Sequence, residues 1–338
     1  MDERALTAAF SVWAAVTVAL VLQFEDPWWA AVTALRVSVR DYDAEISLLR
    51  NRLFGTVAGA ILGLAIAPLI FDNHALAMTV SFAAIAFGTY MRFTSAHAYA
   101  WILGSVTCLL VLNGGFFEPD QVVDIAFYRS VEVLTGVLVV YVVDRCLLPR
   151  EALGAQPKAP VIDDVKRAQI VKSALTTGTM AVILPTIWLM FELPSPFQVI
   201  LTVVVVLNLN LAATTTRGTQ RLLGVLIGGI AGLIVAAFSI TSFVVWSIVL
   251  FAGIALASGY HNSDRSNSYI GLQAGFGFVM ALVTGSGPAD SILPAIDRIV
   301  GIGFGMTIAL VVYLCIDALL PDRIVQRKGA DDKQSGRH

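Results

Sequence analysis

The chain contains 338 residues, of which 57% are hydrophobic and only 14% are charged, and its formal net charge is −2. A soluble domain contains about 45–50% apolar and about 25% charged residues, so this composition excludes an ordinary soluble protein. Apolar stretches close to the roughly 20 residues that span a bilayer recur along the chain, which also excludes a transmembrane β-barrel with its alternating strands. We therefore predict an all-α polytopic membrane protein whose partner is the lipid bilayer and not nucleic acid.

Taken in chain order, the hydrophobic segments predict about 12 transmembrane helices, six in each half of the chain. In the first half they are expected at residues 4–23, 27–39, 46–70, 75–91, 96–113 and 121–148. In the second half they are expected at residues 168–191, 195–211, 217–238, 241–258, 266–284 and 290–320. The second helix of each half begins near a proline, Pro27 or Pro196, which the first turn of a helix tolerates. The first copy of this helix is short for a full span, and such short segments at matching positions of two repeats indicate a binding site.

The two halves of the chain repeat one sequence pattern. Residues 52–64 read RLFGTVAGAILGL and residues 221–233 read RLLGVLIGGIAGL, a shift of 169 positions. A constant shift indicates two copies of one folded unit, with a candidate site between them. We predict a first six-helix repeat, a cytoplasmic linker, a second six-helix repeat and a disordered cytoplasmic tail, at residues 1–148, 149–165, 166–321 and 322–338.

The distribution of basic residues predicts the orientation of these helices. With the N-terminus inside, the cytoplasmic loops and helix ends contain residues such as Arg40, Arg50 and Arg92, whereas the opposite loops contain acidic residues and no Lys or Arg. This pattern follows the positive-inside rule and places both termini in the cytoplasm. Because six spans is an even number, the two repeats are expected to be parallel, related by a pseudo-twofold axis along the membrane normal.

Two glycine series lie at four-residue spacing on the third helix of each half. Glycines on one helix face let a neighbouring backbone approach closely. We interpret both series as helix-packing surfaces, and they consist of Gly55, Gly59, Gly63, Gly224, Gly228 and Gly232.

Arg52 and Arg221 precede these series by three residues, on the same helix face. Their position at the cytoplasmic start of a helix leaves two interpretations open. They anchor the helices by reaching the headgroups, or they form a cationic mouth that collects anions.

Arg129 and Arg298 give the strongest functional signal. About eight residues at roughly 1.5 Å each separate Arg129 from Gln121, which places it about 12 Å below the outer surface. An arginine inside the bilayer costs roughly 3 kcal/mol and is by default a functional hypothesis. The pair is a candidate anion site or gate on a path shared by both halves. Glu132 lies on the same face as Arg129, either holding that arginine structurally or carrying protons.

The remaining candidates for the substrate path are four polar side chains in predicted helices: Arg36, Thr33, Thr202 and Gln273. The sequence contains no nucleotide-binding motif, catalytic triad or metal-ligand cluster. We therefore expect no enzymatic activity, no cofactor and no metal.

Several motifs together resemble the fusaric-acid-resistance and aromatic-acid-exporter superfamily. They are the Pro27-Trp28-Trp29-Ala30 start of the second helix, the Arg-Leu-x-Gly-x-x-x-Gly opening of the third, and the series Arg129…Gly136…Pro149 and Arg298…Gly305…Pro321. The resemblance implies export of small organic, often aromatic, acids across the bacterial inner membrane, typically driven by the proton gradient. It also implies a periplasmic membrane-fusion adaptor as a candidate partner, and a homo-oligomer is a further candidate assembly.

Three functional interpretations remain open on the sequence. The leading one is an exporter of small organic anions with a path between the repeats, and whether Glu132 couples it to protons is left open. The second is a passive anion channel built as a fused pseudo-dimer, as in the similar six-helix units of plant aluminium-activated malate channels. The third is a membrane scaffold or assembly protein that transports nothing and whose arginines are structural.

Overall fold

The computed structural model describes residues 3–39, 41–70, 73–117, 119–147, 158–191, 196–284, 287–288 and 293–319. These residues form twelve α-helices, one 3-10 turn and a two-residue antiparallel strand pair. The prediction of a helical protein is therefore confirmed. The cytoplasmic tail predicted at 322–338 and most of the predicted linker lie outside the described residues.

Six helices lie in each half of the chain. The first six are α1 (Glu3–Val21), α2 (Trp28–Val37), α3 (Tyr42–Ile70), α4 (His74–Thr94), α5 (Ala98–Phe117) and α6 (Val122–Leu147), with the 3-10 turn Pro119–Gln121 before α6. The second six are α7 (Asp164–Phe191), α8 (Pro196–Val206), α9 (Leu211–Ala236), α10 (Phe243–His261), α11 (Tyr269–Leu282) and α12 (Leu293–Leu319). Strands β1 (Val283–Thr284) and β2 (Gly287–Pro288) follow α11.

The predicted helix boundaries are wrong where the chain turns between the second and third helices of each half. In the second half, residues 195–211 and 217–238 were the expected ranges, but α8 ends at Val206 and α9 begins at Leu211. The side chain of Asn210 caps α9 by accepting a hydrogen bond from the N–H of Ala213 at 2.8 Å. This cap satisfies a backbone donor that the helix start leaves unpaired, so α9 begins nearly two turns earlier than hydrophobicity alone suggests.

Eight helices in the described part of the chain are long and apolar enough to cross a membrane: α1, α3, α4, α6, α7, α9, α10 and α12. The chain is thus a multi-pass membrane protein. Helices α2 and α8 contain only 10 and 11 residues, about 15–17 Å at 1.5 Å per residue, so neither can cross a hydrocarbon core of about 30 Å. Helix α11 is also a shorter apolar segment.

The short helices α2 and α8 pack in the interior of the bundle. Every residue of α2 except Arg36 is buried, and the helix packs against α1, α6 and α11. Helix α8 packs against α7 and α12. The halves also contact each other through α1 with α10 and through α4 with α7. These two short helices thus bring the hydroxyl groups of Thr33 and Thr202 into the interior, where both residues are fully buried.

The two glycine series lie where α3 packs on α5 and α9 packs on α11. A Cβ atom added to Gly59 would meet the backbone of Gly104, and one added to Gly228 would meet the backbone of Ala274. Gly55 faces the backbone of Ala100 in the same way. The other three glycines also abut α5 or α11: Gly63 at Val111, Gly224 at Ile270 and Gly232 at Ala281.

The variant Gly228→Ala is expected to destabilise the protein because the added methyl group overlaps the backbone of α11. Overpacking of this kind costs about 1–3 kcal/mol. The apparent melting temperature of the purified protein in detergent should therefore fall. Gly303→Ala is the matched control, since no described heavy atom lies within 4 Å of a Cβ built at that position of α12. An equal loss in both variants would contradict the packing role of Gly228.

Candidate functional site

A cavity of about 280 Å³ lies between the two halves. Residues of α2, α3, α4, α5, α6, α8, α9 and α11 line it, and we call it the central cavity. Its basic residues are Arg36, Arg52, Arg92, Arg129, Arg217 and Arg221, and its aromatic residues are Trp29, Tyr99, Tyr269 and Phe276. None of the described residues that line it is a carboxylate. Its volume is just below the usual range of small-molecule pockets, about 300–1,000 Å³, so it suits a small ligand.

Arg52 connects three elements of the first half at the wall of this cavity. Its Nη2 donates to the hydroxyl of Thr33 on α2 at 3.0 Å, and its Nη1 donates to the hydroxyl of Tyr99 on α5 at 3.2 Å. The residue is buried, and its Nε has no hydrogen-bond partner in the described part of the chain. These contacts place the guanidinium group inside the protein and leave a donor for a ligand.

Arg221 occupies the corresponding position in the second half. Its Nε donates to the hydroxyl of Thr202 on α8 at 3.3 Å, and its Nη1 donates to Oε1 of Gln273 on α11 at 2.8 Å. The 169-residue shift that relates Arg52 to Arg221 also relates Thr33 to Thr202. The Arg–Thr hydrogen bond is therefore duplicated, while the third partner differs between the halves.

Arg129 and Glu132 lie beside the first turn of α2. The Cζ atom of Arg129 lies 3.5 Å from the ring centroid of Trp29, a cation–π contact, and its Nη1 lies 3.7 Å from Oε2 of Glu132. The other carboxylate oxygen of Glu132 accepts the backbone N–H of Asp26 at 2.9 Å. These contacts hold the turn between α1 and α2 against α6. Arg298 lies in α12, but its side chain is outside the part of the chain that the structure describes.

The residues that line the cavity include several that were not among the predicted candidates, notably Arg92, Arg217, Tyr99 and Tyr269. Arg92 donates to the backbone carbonyls of Val204 and Leu207 at 3.0 and 3.3 Å, across the interface between the halves. The Cζ atom of Arg217 lies 3.5 Å from the ring centroid of Tyr269.

A sequence signal exists for one of these arginines. Arg217 lies four residues before Arg221, so the two share a face of α9. Arg92 gives no such signal, because its partners belong to the other half of the chain.

Six guanidinium groups around one small cavity create a positive electrostatic potential that favours the binding of an anion. Like charges repel strongly where water is scarce, and Glu132 pairs with one of these arginines, Arg129. An anionic ligand would offset this repulsion and accept charge-assisted hydrogen bonds from several arginines at once. The aromatic rings beside Arg36, Arg129 and Arg217 add flat apolar surface for the rest of the ligand.

Two ion-pair clusters, each with a buried cation, lie outside the central cavity. Arg4 on α1 pairs with Glu45 on α3 and with Asp144 on α6. In the second half, Lys172 on α7 pairs with Asp317 on α12. Each cluster ties the first helix of its half to the last, so we assign these charges to the scaffold rather than to ligand binding.

Comparisons with known proteins match both halves of the chain. The fusaric acid resistance protein family matches residues 4–159, and a related family described as fusaric acid resistance protein-like matches residues 180–312. The chain is 30% identical over 138 residues to the uncharacterized transporter YdhK of Escherichia coli strain K12, which covers 40% of this chain and 21% of that protein. It is 31% identical over 138 residues to YdhK of Salmonella typhimurium strain LT2, covering 40% of this chain and 20% of that protein. The chain thus aligns with about a fifth of the length of these curated relatives, and no solved structure matches it significantly.

Proposed function

This chain belongs to the fusaric acid resistance protein family, and from that premise we propose that it is a membrane transporter for small organic anions. The observation that carries the proposal is the central cavity, which is lined by six arginines from both halves and by no described carboxylate. Relatives named as transporters support the general activity. The bacterial inner membrane is the proposed location.

The contacts in the central cavity favour an aromatic or similarly flat acid as the substrate. A carboxylate fits the donors of Arg52 and Arg221, which are already oriented by Thr33 and Thr202. Tyr99 and Tyr269 stand close to lining arginines, so a ring bound beside them would stack while its carboxylate meets a guanidinium. Preoriented donors of this kind lower the cost of ordering the site on binding.

We also propose a topology of two parallel six-helix repeats with both termini in the cytoplasm. The same helix pairs pack in each half: α3 with α5 and α9 with α11, and likewise α2 with α6 and α8 with α12. In this orientation Arg92 and Arg217 lie at the cytoplasmic end of the cavity. Arg129 and Trp29 lie toward the outer end, beside the hydrogen bond between Asp26 and Glu132.

Flux measurements in proteoliposomes test the proposal. We expect a labelled aromatic carboxylate such as benzoate to cross the membrane faster in vesicles that contain the protein than in empty vesicles. Accumulation against its gradient, driven by a pH difference, supports an exporter. Downhill movement with a current and no pH dependence would instead identify a passive anion channel. Absence of flux for every organic acid tested would favour the scaffold interpretation.

Glu132→Gln is expected to remove the stimulation of flux by a pH gradient while leaving downhill flux in place. Glutamine retains an oxygen that can accept the N–H of Asp26 but can neither gain nor lose a proton, so coupling through this position would stop. The measurement is anion uptake with and without a pH gradient. Asp124→Asn, an exposed carboxylate in the first turn of the same helix, is the matched control. Unchanged stimulation in Glu132→Gln would rule out this residue as the proton carrier.

A further inference from the structure

A second space opens between α3, α4 and α5, on a side of the protein that exposes apolar side chains. Helices α3 and α4 both pack on α5 but make few contacts with each other, which leaves a groove of about 650 Å³ between them. Its walls include the exposed residues Phe54, Leu62, Phe87 and Trp101. Since this is a multi-pass membrane protein, these side chains face acyl chains rather than water.

The floor of the groove has almost no side chains. Gly55, Gly59 and Gly104 form it at the close contact between α3 and α5, and Gly88 lies against Ser105 on the other side. The rings of Phe87 and Trp101 meet edge to face, with centroids 5.4 Å apart, above this floor. The groove is therefore a deep apolar slot with aromatic edges.

One end of the groove is polar and basic. Arg50, Asn51 and His97 lie there, with Nδ1 of His97 3.2 Å from Oδ1 of Asn51. Helix α4 ends at Thr94 and α5 begins at Ala98, so this end lies at the level where helices leave the membrane. None of the described lining residues is a carboxylate. The other end reaches Cys108, eleven residues from His97 along the chain.

The length of the groove matches one leaflet. Eleven residues at about 1.5 Å each give about 16 Å, which is about half of a hydrocarbon core of about 30 Å. A slot that begins at the membrane surface and stops near the midplane fits one lipid acyl chain. The basic group at its surface end is complementary to the negative charge of an anionic phospholipid headgroup.

We propose that this groove is a binding site for one anionic phospholipid, with an acyl chain on the glycine floor and the headgroup phosphate at Arg50 and His97. The fold alone does not require these residues. The 169-residue shift replaces Arg50 by Thr219, His97 by Ser266 and Trp101 by Ile270 in the second half, so the basic end and the aromatic edge are particular to the first half.

Helix α5 separates this groove from the central cavity. Tyr99 and Leu103 line the cavity, whereas Trp101 and Ser105 on the same helix line the groove. A lipid in the groove would thus contact the helix that forms one wall of the central cavity. The lipid site does not depend on what the central cavity transports.

Fluorescence quenching by brominated lipids tests this site in the full-length protein. The contribution of Trp101 is the difference between the protein and Trp101→Phe, measured in phosphatidylcholine vesicles that contain a minor fraction of brominated phosphatidylglycerol or brominated phosphatidylcholine. We expect brominated phosphatidylglycerol to bind in the groove about fivefold more tightly than brominated phosphatidylcholine. This factor corresponds to the attraction of about 1 kcal/mol between one arginine and anionic lipid. Arg50→Gln should abolish this preference. Arg145→Gln, an exposed arginine in the last turn of α6, should preserve it.

Three results would overturn the proposal. Equal quenching by both brominated lipids in the unmodified protein would mean that the groove faces bulk lipid without selectivity. Absence of Trp101 quenching by either lipid would mean that protein, such as a second copy of the chain, covers the groove. Ala58→Leu, which narrows the slot, should reduce quenching by both lipids, and an unchanged signal would show that the acyl chain does not enter. Equal melting temperatures of the variants establish that each is folded.

Discussion

Replacing Arg221 by methionine is expected to reduce organic-anion flux by about ten- to a hundredfold, because a hydrogen bond to a charged group contributes about 1.5–3 kcal/mol. Arg221 is buried at the wall of the central cavity and is held by Thr202 and Gln273. Methionine keeps an unbranched apolar stem and removes the guanidinium group with its charge and donors. Initial rates of uptake into proteoliposomes, measured at several substrate concentrations, give the effect on apparent affinity and on maximal rate.

Two matched variants separate the charge of Arg221 from its hydrogen bonds. Arg221→Lys keeps a cation but lacks the planar fork in which Nε donates to Thr202 and Nη1 to Gln273, so a partial loss is expected. Thr202→Val keeps the whole guanidinium group and removes one of its orienting contacts, so a smaller loss is expected. Flux that is the same in Arg221→Met and in the unmodified protein would contradict an anion path through the central cavity.

The repeated pattern predicted much of the fold, because hydrophobic periodicity and a constant shift between the halves are both visible in the sequence itself. The helical fold and the multi-pass character follow from it and are confirmed. The helix ends do not follow, since α8 ends at Val206 where Asn210 caps the next helix. A cap depends on one side chain and its backbone geometry, which hydrophobicity does not record.

The candidate site could be predicted only in part. Arg52 and Thr33 were each singled out, but their contact joins α3 to α2, and spacing along the chain does not show which helices meet. The repeat does show that any such contact should occur twice, as it does for Arg221 and Thr202. Arg92 was predicted as a cytoplasmic residue but not as part of the site, because its acceptors are carbonyls at the end of α8, more than 100 residues away.

Several differences between the halves lie at or beside the central cavity. The shift replaces Arg36 by Val205 and Glu132 by Gly301. Arg217, in turn, has Leu48 as its counterpart in the first half. The duplicated Arg–Thr pairs thus form a common frame, and each half adds arginines that the other lacks. A ligand in this cavity would meet an asymmetric arrangement, which favours one binding orientation over the reverse.

Arg4→Met is expected to be the most destabilising single substitution argued from these contacts, lowering the free energy of unfolding by about 3–5 kcal/mol. Arg4 is 2% exposed and pairs with Glu45 and Asp144, which are 0% and 2% exposed. Its Nε also donates to the carbonyl of Val39 at 2.8 Å. Methionine would leave two carboxylates together in the interior, with no other cation paired to them among the described residues. Unfolding in detergent by increasing denaturant measures the loss.

Lys172→Met is the matched control, because it removes the corresponding pair at the first helix of the second half. Its partner Asp317 has a side chain that is 40% exposed, so the carboxylate left behind stays hydrated and the expected cost is within about 1 kcal/mol. Neutralising both acids beside Arg4→Met, with Glu45→Gln and Asp144→Asn, should recover most of the lost stability, since no uncompensated charge remains. Equal destabilisation by Arg4→Met and Lys172→Met would show that burial of charge does not set the cost, and that the two clusters act only as links between helices.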